Sequence, residues 1–256
     1  MRGTINAPRR EIRPGYNLLD NGDFAIAQAG YGAMHGSVLY ACDRWYDRYG
    51  FGAFTKTGQG LNMAYGTNHA YICQKIAASA SLVGKKVTFA VKVADGDICL
   101  CSGIYTGTQQ DAAANFNGAD GEISIRDGYV QVIVTAGAAT ILWAALYEGE
   151  YTASTLPTYV QRPYAVELSE CQRYYQVINV FMSDAFDANG TATATIPFMT
   201  TMRIIPSISF VTDESSDGVT GPLLYRASQT ACIAGFGCIA NKRSYWYGRA
   251  IASADL

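Results

Sequence analysis

The sequence predicts an all-β protein: a jelly roll or β-sandwich, one linking α-helix, and a small C-terminal β domain. Three observations predict it. Apolar residues alternate at period two in several short runs bounded by turn residues. The 256 residues include 18 Tyr and 26 Gly against 7 Pro, which suits strands with one wet face joined by tight turns. A single segment in the middle breaks the alternation with helical spacing.

The elements follow in order. Residues 1–15 are a basic tail with no apolar periodicity, and residues 16–160 form the sandwich. In Lys86–Val93, the residues Val87, Phe89, Val91 and Val93 share one face. Asp95-Gly96-Asp97 turns the chain into a return strand, Ile98–Ile104. A second hairpin joins Glu122–Ile125 to Tyr129–Val134 through Arg126-Asp127-Gly128, and Ala139–Tyr147 is apolar enough for a central strand. The stretch from Thr106 to Asp120, rich in Gly, Asn and Thr, reads as a loop. Residues 161–177 are linker and helix, the helix starting at Tyr164. Residues 178–256 form the second β domain, with strands at Val177–Met182, Thr191–Ile196, Met202–Phe210, Thr230–Ile233 and Ser244–Ser253, and a turn at Asp187–Gly190.

Composition narrows the function classes. Formal net charge is −2 and no long run carries one sign, which argues against electrostatic capture of nucleic acid. No apolar stretch approaches the ~20 residues of a membrane span, and no secretory signal follows Met1. Synthesis in a bacterial cytoplasm is the expectation. The seven cysteines have no disulfide rhythm and sit mostly among apolar neighbours, so reduced, buried thiols are expected. The tail concentrates Arg2, Arg9, Arg10 and Arg13. It is either a solvated terminus or a tether that orders in a groove of a partner protein.

Two strings stand out. One is Asn17-Leu18-Leu19-Asp20-Asn21-Gly22-Asp23-Phe24, answered by Asp43-Arg44-Trp45. The other is Arg162-Pro163-Tyr164, then Glu167-Leu168, then Cys171-Gln172-Arg173-Tyr174-Tyr175. Together they resemble a family of bacteriophage and prophage fibre-like virion proteins, of tail-fibre, receptor-binding or head-fibre type. The chain's end, Ala252-Ser253-Ala254-Asp255-Leu256, is similar to that family's closing string, with Asp-Leu in place of Glu-Leu. The resemblance implies a carbohydrate-binding-module-like sandwich, a small β domain, assembly as a homotrimer, and a place on a virion. It also implies that Trp45 is core, with Asp43 and Arg44 tying strand ends together, rather than a sugar platform.

Enzymatic chemistry finds little support. His35 and His69 stand in loop-like contexts outside any hydrolase or metalloprotease motif. Cys99 and Cys101 would share a strand face, but no second pair has zinc spacing. Asp20/Asp23 and Asp95/Asp97 could face each other across a sugar or hold a structural calcium, yet such acids also cap turns locally. The expectation is no catalytic residue, no metal and no cofactor, with calcium as the minor alternative.

The sugar-contact candidates are aromatics near glycine-rich segments: Tyr46, Tyr49, Phe51, Tyr65, Tyr71 and Tyr105. Tyr174 and Tyr175 are expected to wedge the helix between domains or protomers, and Arg173 to pair with Glu170 or Glu167. The function expected is a fibre, spike or collar component that binds host-surface glycans and docks to portal, capsid or baseplate through its tail. The rivals are a scaffold without ligand, as in a head fibre or decoration protein, and a glycan-degrading tailspike.

Overall fold

A computed structural model describes residues 15–35, 38–65, 69–77, 79–116, 120–186, 190–216, 219–238 and 242–254. Most of the basic tail, with Arg2, Arg9, Arg10 and Arg13, and the core of the 187–190 turn lie outside the described residues. The chain divides into two compact units, Met1–Glu167 and Leu168–Leu256.

The first unit holds β1 (Ala33–His35), β2 (Val38–Cys42), β3 (Trp45–Asp47), β4 (Ala53–Lys56), β5 (Leu61–Ala64) and β6 (Ala70–Lys75). After a one-turn helix, α1 (Ser79–Leu82), come β7 (Lys86–Val93), β8 (Ile98–Ile104), β9 (Gln110–Phe116), β10 (Gly121–Arg126), β11 (Tyr129–Val134) and β12 (Ala138–Glu148). They form a seven-stranded sheet, ordered β1-β2-β3-β6-β11-β10-β9, and a five-stranded sheet, ordered β4-β5-β12-β7-β8. All pairings are antiparallel.

Alternation decides what each face meets. Ile72, Val130, Val132, Ile123 and Ile125 of the larger sheet pack in one core with Met63, Val87, Phe89, Val91 and Ile141 of the smaller. The smaller sheet's other face is also covered. There Ala90, Ala145 and Tyr147 lie under Tyr151, Leu156 and Tyr159, and Tyr159 stacks on Trp143 at 4.8 Å. The segment after β12 supplies that cover.

The helix expected in the middle is α2 (Tyr164–Gln172), and the division between units falls within it. It is shorter than expected. From Tyr175 the chain is already in β13 (Tyr175–Phe186), where aromatic and β-branched residues pair along β18. The second unit continues with β14 (Gly190–Pro197), β15 (Ser207–Ser215), β16 (Thr220–Ala227), β17 (Ala231–Cys238) and β18 (Lys242–Ser253). Two three-stranded sheets result, β13-β18-β15 and β14-β17-β16. Ile178, Val180, Met182, Ile196, Phe236 and Trp246 fill the core between them.

Three further differences from expectation have local causes. The 106–120 segment contains β9, whose Ala112 and Ala114 pack against the core although neither is a strong strand former. The strand expected at Met202 starts instead at Ser207, after Pro206. Strand β16 has no counterpart among the expected strands because its apolar residues do not alternate.

Candidate functional site

Residues of both strings meet in one buried polar cluster of the first unit, where Arg162 and Glu167 reach the opening segment. Asn17 accepts from the backbone N–H groups of Leu19 and Leu146, both at 3.0 Å, fastening the opening to β12. Asn21 sits at a left-handed φ of 51°, a conformation asparagine tolerates. Its side chain donates to the carbonyls of Ile26 and Asp43, both at 2.8 Å, and accepts from the Ile26 N–H. Gly22 is required by space, since a Cβ there would lie 2.5 Å from the Ala144 carbonyl oxygen. Phe24 packs on Trp45 at 5.3 Å, and the Trp45 indole N–H donates to the Asn21 carbonyl.

Asp43 and Arg44 form the β2–β3 turn, with Arg44 at a φ of 71°. The Arg44 guanidinium turns back to Asp20 at 3.2 Å, and both side chains are buried. Gln74 and Asp20 exchange two amide hydrogen bonds at 2.7 Å. Arg162 donates to the Leu19 carbonyl and pairs with Glu167 at 2.9 Å. Glu167, in the first turn of α2, also accepts from the Asn21 backbone N–H. Glu167 therefore pairs with Arg162, while Arg173 takes Glu170 at 3.2 Å. Asp20, Asn21, Arg44, Gln74 and Glu167 are withdrawn from solvent and hold the fold, with the Asp20 carboxylate taken by Arg44. A hollow of about 220 Å³ beside β8 and β9 has Asp97 as the one carboxylate among its lining residues. No group of three or more His, Cys, Asp or Glu able to hold a metal occurs among the described residues.

The outer face of the seven-stranded sheet is different. Period two sends Tyr71, Cys73 and Lys75 of β6 outward beside Tyr129, Gln131 and Ile133 of β11. Tyr46 of β3 lies opposite Cys73 and Tyr40 opposite Tyr46, so they share that face. Cys73, Gln131 and Ser124 at its centre are buried, as is Tyr40, while Tyr46, Tyr71 and Tyr129 are half-buried. Tyr46 packs against Tyr40 at 5.9 Å and edge-on to Tyr129 at 6.2 Å. A second run of rings links Tyr65 to His69 at 6.3 Å, His69 to Tyr71 at 5.8 Å and Tyr71 to Tyr49 at 4.6 Å.

The loop after β3 is built to present an aromatic ring. Buried Asp47 accepts from the N–H groups of Tyr49 at 2.9 Å and Gly52 at 2.7 Å. Gly50 at a φ of 74° closes the turn, and Arg48 lies 5.9 Å over the Tyr49 ring. Tyr49 and Phe51 are consequently exposed, at 52% and 45%. Burial raises the Tyr46 phenol, with Cys73 and Tyr129 adding to it, and burial likewise raises Tyr71, so both stay protonated hydrogen-bond donors.

Of the six sugar-contact candidates, Tyr49, Phe51 and Tyr65 lie in loops and are exposed. Tyr46 and Tyr71 stand on strands and are half-buried. Tyr105 is a correction. It is fully buried in the sandwich core, held by backbone hydrogen bonds to Gly84 and Lys85 at 2.9 Å, and has no surface for a sugar. Tyr174 and Tyr175 need correction as protomer contacts. Both are buried, and in the second unit Arg203 lies 5.2 Å over the Tyr174 ring. The expectation had omitted Tyr40, His69 and Tyr129. His69 stands two residues before Tyr71, and Tyr129 begins an alternating strand, so both signals were present.

Comparison with protein-family models, with curated proteins and with solved structures finds no match. No helix of the described residues is long and apolar enough to cross a membrane.

Proposed function

We propose that this chain is a bacteriophage virion protein, a fibre, spike or collar component, that binds host-surface glycans on the outer face of its seven-stranded sheet. One observation carries the reading: the ring-to-ring run Tyr65–His69–Tyr71–Tyr49 lies along the outer face of the seven-stranded sheet, with Tyr49 and Tyr65 exposed. The opposite sheet's outer face lies under Tyr151, Leu156 and Tyr159. An aromatic ring offers an apolar surface to the C–H face of a pyranose, and a phenol adds a hydrogen bond at its tip. Lys75, Arg48 and Glu122 stand close by to meet polar substituents.

The activity is binding without turnover. A shallow aromatic surface gives weak single-site affinity, which becomes useful when several copies are held together on one particle. Residues 1–15 serve as the virion anchor, their four arginines suited to an acidic groove on a portal, capsid or baseplate protein. The resemblance of the two strings to fibre-like virion proteins supports this placement.

The test is an array of bacterial surface polysaccharides probed with the wild-type chain and with the Tyr49→Ala/Tyr71→Ala variant. Binding to a defined set of glycans, lost in the variant, is expected. An array without hits favours the scaffold without ligand, and release of reducing ends from a bound polysaccharide favours the tailspike.

A further inference from the structure

The charges on the outer face of the seven-stranded sheet are unevenly placed. Lys75 of β6 and Arg126 of β10 both stand opposite Tyr129 of β11, so one row across three strands reads Lys75, Tyr129, Arg126. Two strand spacings put the outer pair roughly 10 Å apart at Cα, so both side chains can reach one group held over the Tyr129 ring. Both are exposed, and Tyr129 is half-buried between them. Arg48 is a third exposed cation. Tyr46 lies opposite Cys73 on an antiparallel strand; Arg48 follows Tyr46 by two residues and Lys75 follows Cys73 by two. Arg48 and Lys75 therefore fall on opposite sides of Tyr46, about four residue rises or ~13 Å apart.

The acids of this face leave those cations largely unanswered. Glu122 stands in the row of Ile133 and Tyr71, four residues and roughly 13 Å along β10 from Arg126. Asp127 touches Arg126 at 3.6 Å, but both side chains are about half exposed, so water competes for the pair. Asp47 is buried and committed to the N–H groups of Tyr49 and Gly52. Among the described residues, neither Arg48 nor Lys75 has a carboxylate within 4.0 Å. Exposed cations elsewhere do find one: Lys85 meets Glu148 at 2.9 Å, and Arg249 meets Asp213 at 3.0 Å.

We infer that the glycan taken by this face is acidic, with a carboxylate or phosphate group seated between Lys75 and Arg126 over Tyr129. This ligand class rests on the glycan-binding reading of the face. A neutral sugar stacked on the rings would leave both cations to water. An anionic substituent gains charge-assisted hydrogen bonds from them, which are shorter and stronger than neutral ones. The guanidinium can fork onto two oxygens, while the ammonium adds a point charge from the other side. A longer acidic chain that crosses Tyr46 meets Arg48 with its next charge. The chain as a whole carries a formal charge of −2, so its net charge does not draw polyanions. Selection for an acid comes from where these cations stand.

The test is an array of acidic and neutral bacterial capsular and O-antigen polysaccharides. Each uronic-acid polymer is printed beside its carboxyl-reduced form, and each phosphodiester polymer beside its dephosphorylated form, which separates carboxylate from phosphate. The wild type is expected to bind acidic polymers and to bind their neutralised forms about tenfold more weakly. Lys75→Gln/Arg126→Gln is expected to lose about tenfold on the acidic polymer and little on the neutralised one. Lys86→Gln, which removes a cation paired with Glu150 on the other sheet, is expected to bind as the wild type does. Circular dichroism checks the fold. If the double variant fails to fold, Lys75→Gln alone decides, because Lys75 is exposed, with an expected loss of about threefold. No binding to any polymer overturns the glycan reading and the acidic class with it. Hits confined to neutral polymers, equal binding of acidic and neutralised forms, or equal capture of single-stranded DNA overturns the acidic class alone. So does a loss in Lys86→Gln that matches the loss in the double variant, or a folded double variant that binds as the wild type does.

Discussion

Arg162 and Glu167 pair at 2.9 Å with side chains 12% and 7% exposed, and each also binds the opening segment, at the Leu19 carbonyl and the Asn21 N–H. Residues about 145 positions apart are thereby joined in one buried cluster. Glu167→Gln takes the nearer carboxylate from Arg162, leaving it Asp20 at 3.9 Å, and Arg162→Ala takes the guanidinium from buried Glu167. A loss of about 3–5 kcal/mol is expected from urea unfolding. A loss below 1 kcal/mol in both variants would show that the pair is solvated and does not fasten the opening.

Gly22→Ala tests the same junction by space alone. The added Cβ meets the Ala144 carbonyl, whose own N–H is bonded to the Gly22 carbonyl at 2.7 Å, so neither strand can retreat easily. The expected cost is about 1–3 kcal/mol, read as a lower urea midpoint. An unchanged midpoint would mean that the opening is not seated on β12.

The buried thiols set an alkaline limit. Burial pushes Cys73 and Cys101 from 9.0 up to about 12, and Tyr31 from 10.0 to about 12. Each folded-state value lies above its unfolded one. Between those values the unfolded chain releases a proton that the folded chain keeps, so stability is complete below about pH 9 and falls as pH rises towards 12. Urea midpoints from pH 7 to 11 should hold and then decline above pH 9, with a shallower decline in Cys73→Ala. A midpoint that is flat to pH 11 would contradict the burial of these groups.

Much of this fold was legible because alternation was strong where both faces mattered. The β7–β8 and β10–β11 hairpins fall where Val87-x-Phe89-x-Val91 and Ile123-x-Ile125 place them. Strand β9 was hidden by its alanines, and β16 by three consecutive exposed apolar residues, Leu223, Leu224 and Tyr225, which have no period. Helical spacing continued past Gln172, but pairing with β18 outweighed it from Tyr175 onward.

The site was partly legible. Glycine neighbours marked Tyr49, Phe51 and Tyr65 as exposed. Tyr105 was misplaced although it stands at period two from Cys101, the strand's core-facing phase. That three half-buried strand tyrosines would meet on one face required the β3-β6-β11 order, which depends on long-range pairing.

The central claim is that the outer aromatic face binds glycans. The most direct measurement is isothermal titration of the wild type and of Tyr71→Ala with an oligosaccharide prepared from a polysaccharide of the proposed host surface. Tyr71 touches both Tyr49 and His69, so its loss breaks the run of rings at its middle. Saturable binding is expected for the wild type, weakened on the order of tenfold or more in Tyr71→Ala with its fold intact. Equal affinity in the two proteins would contradict the account.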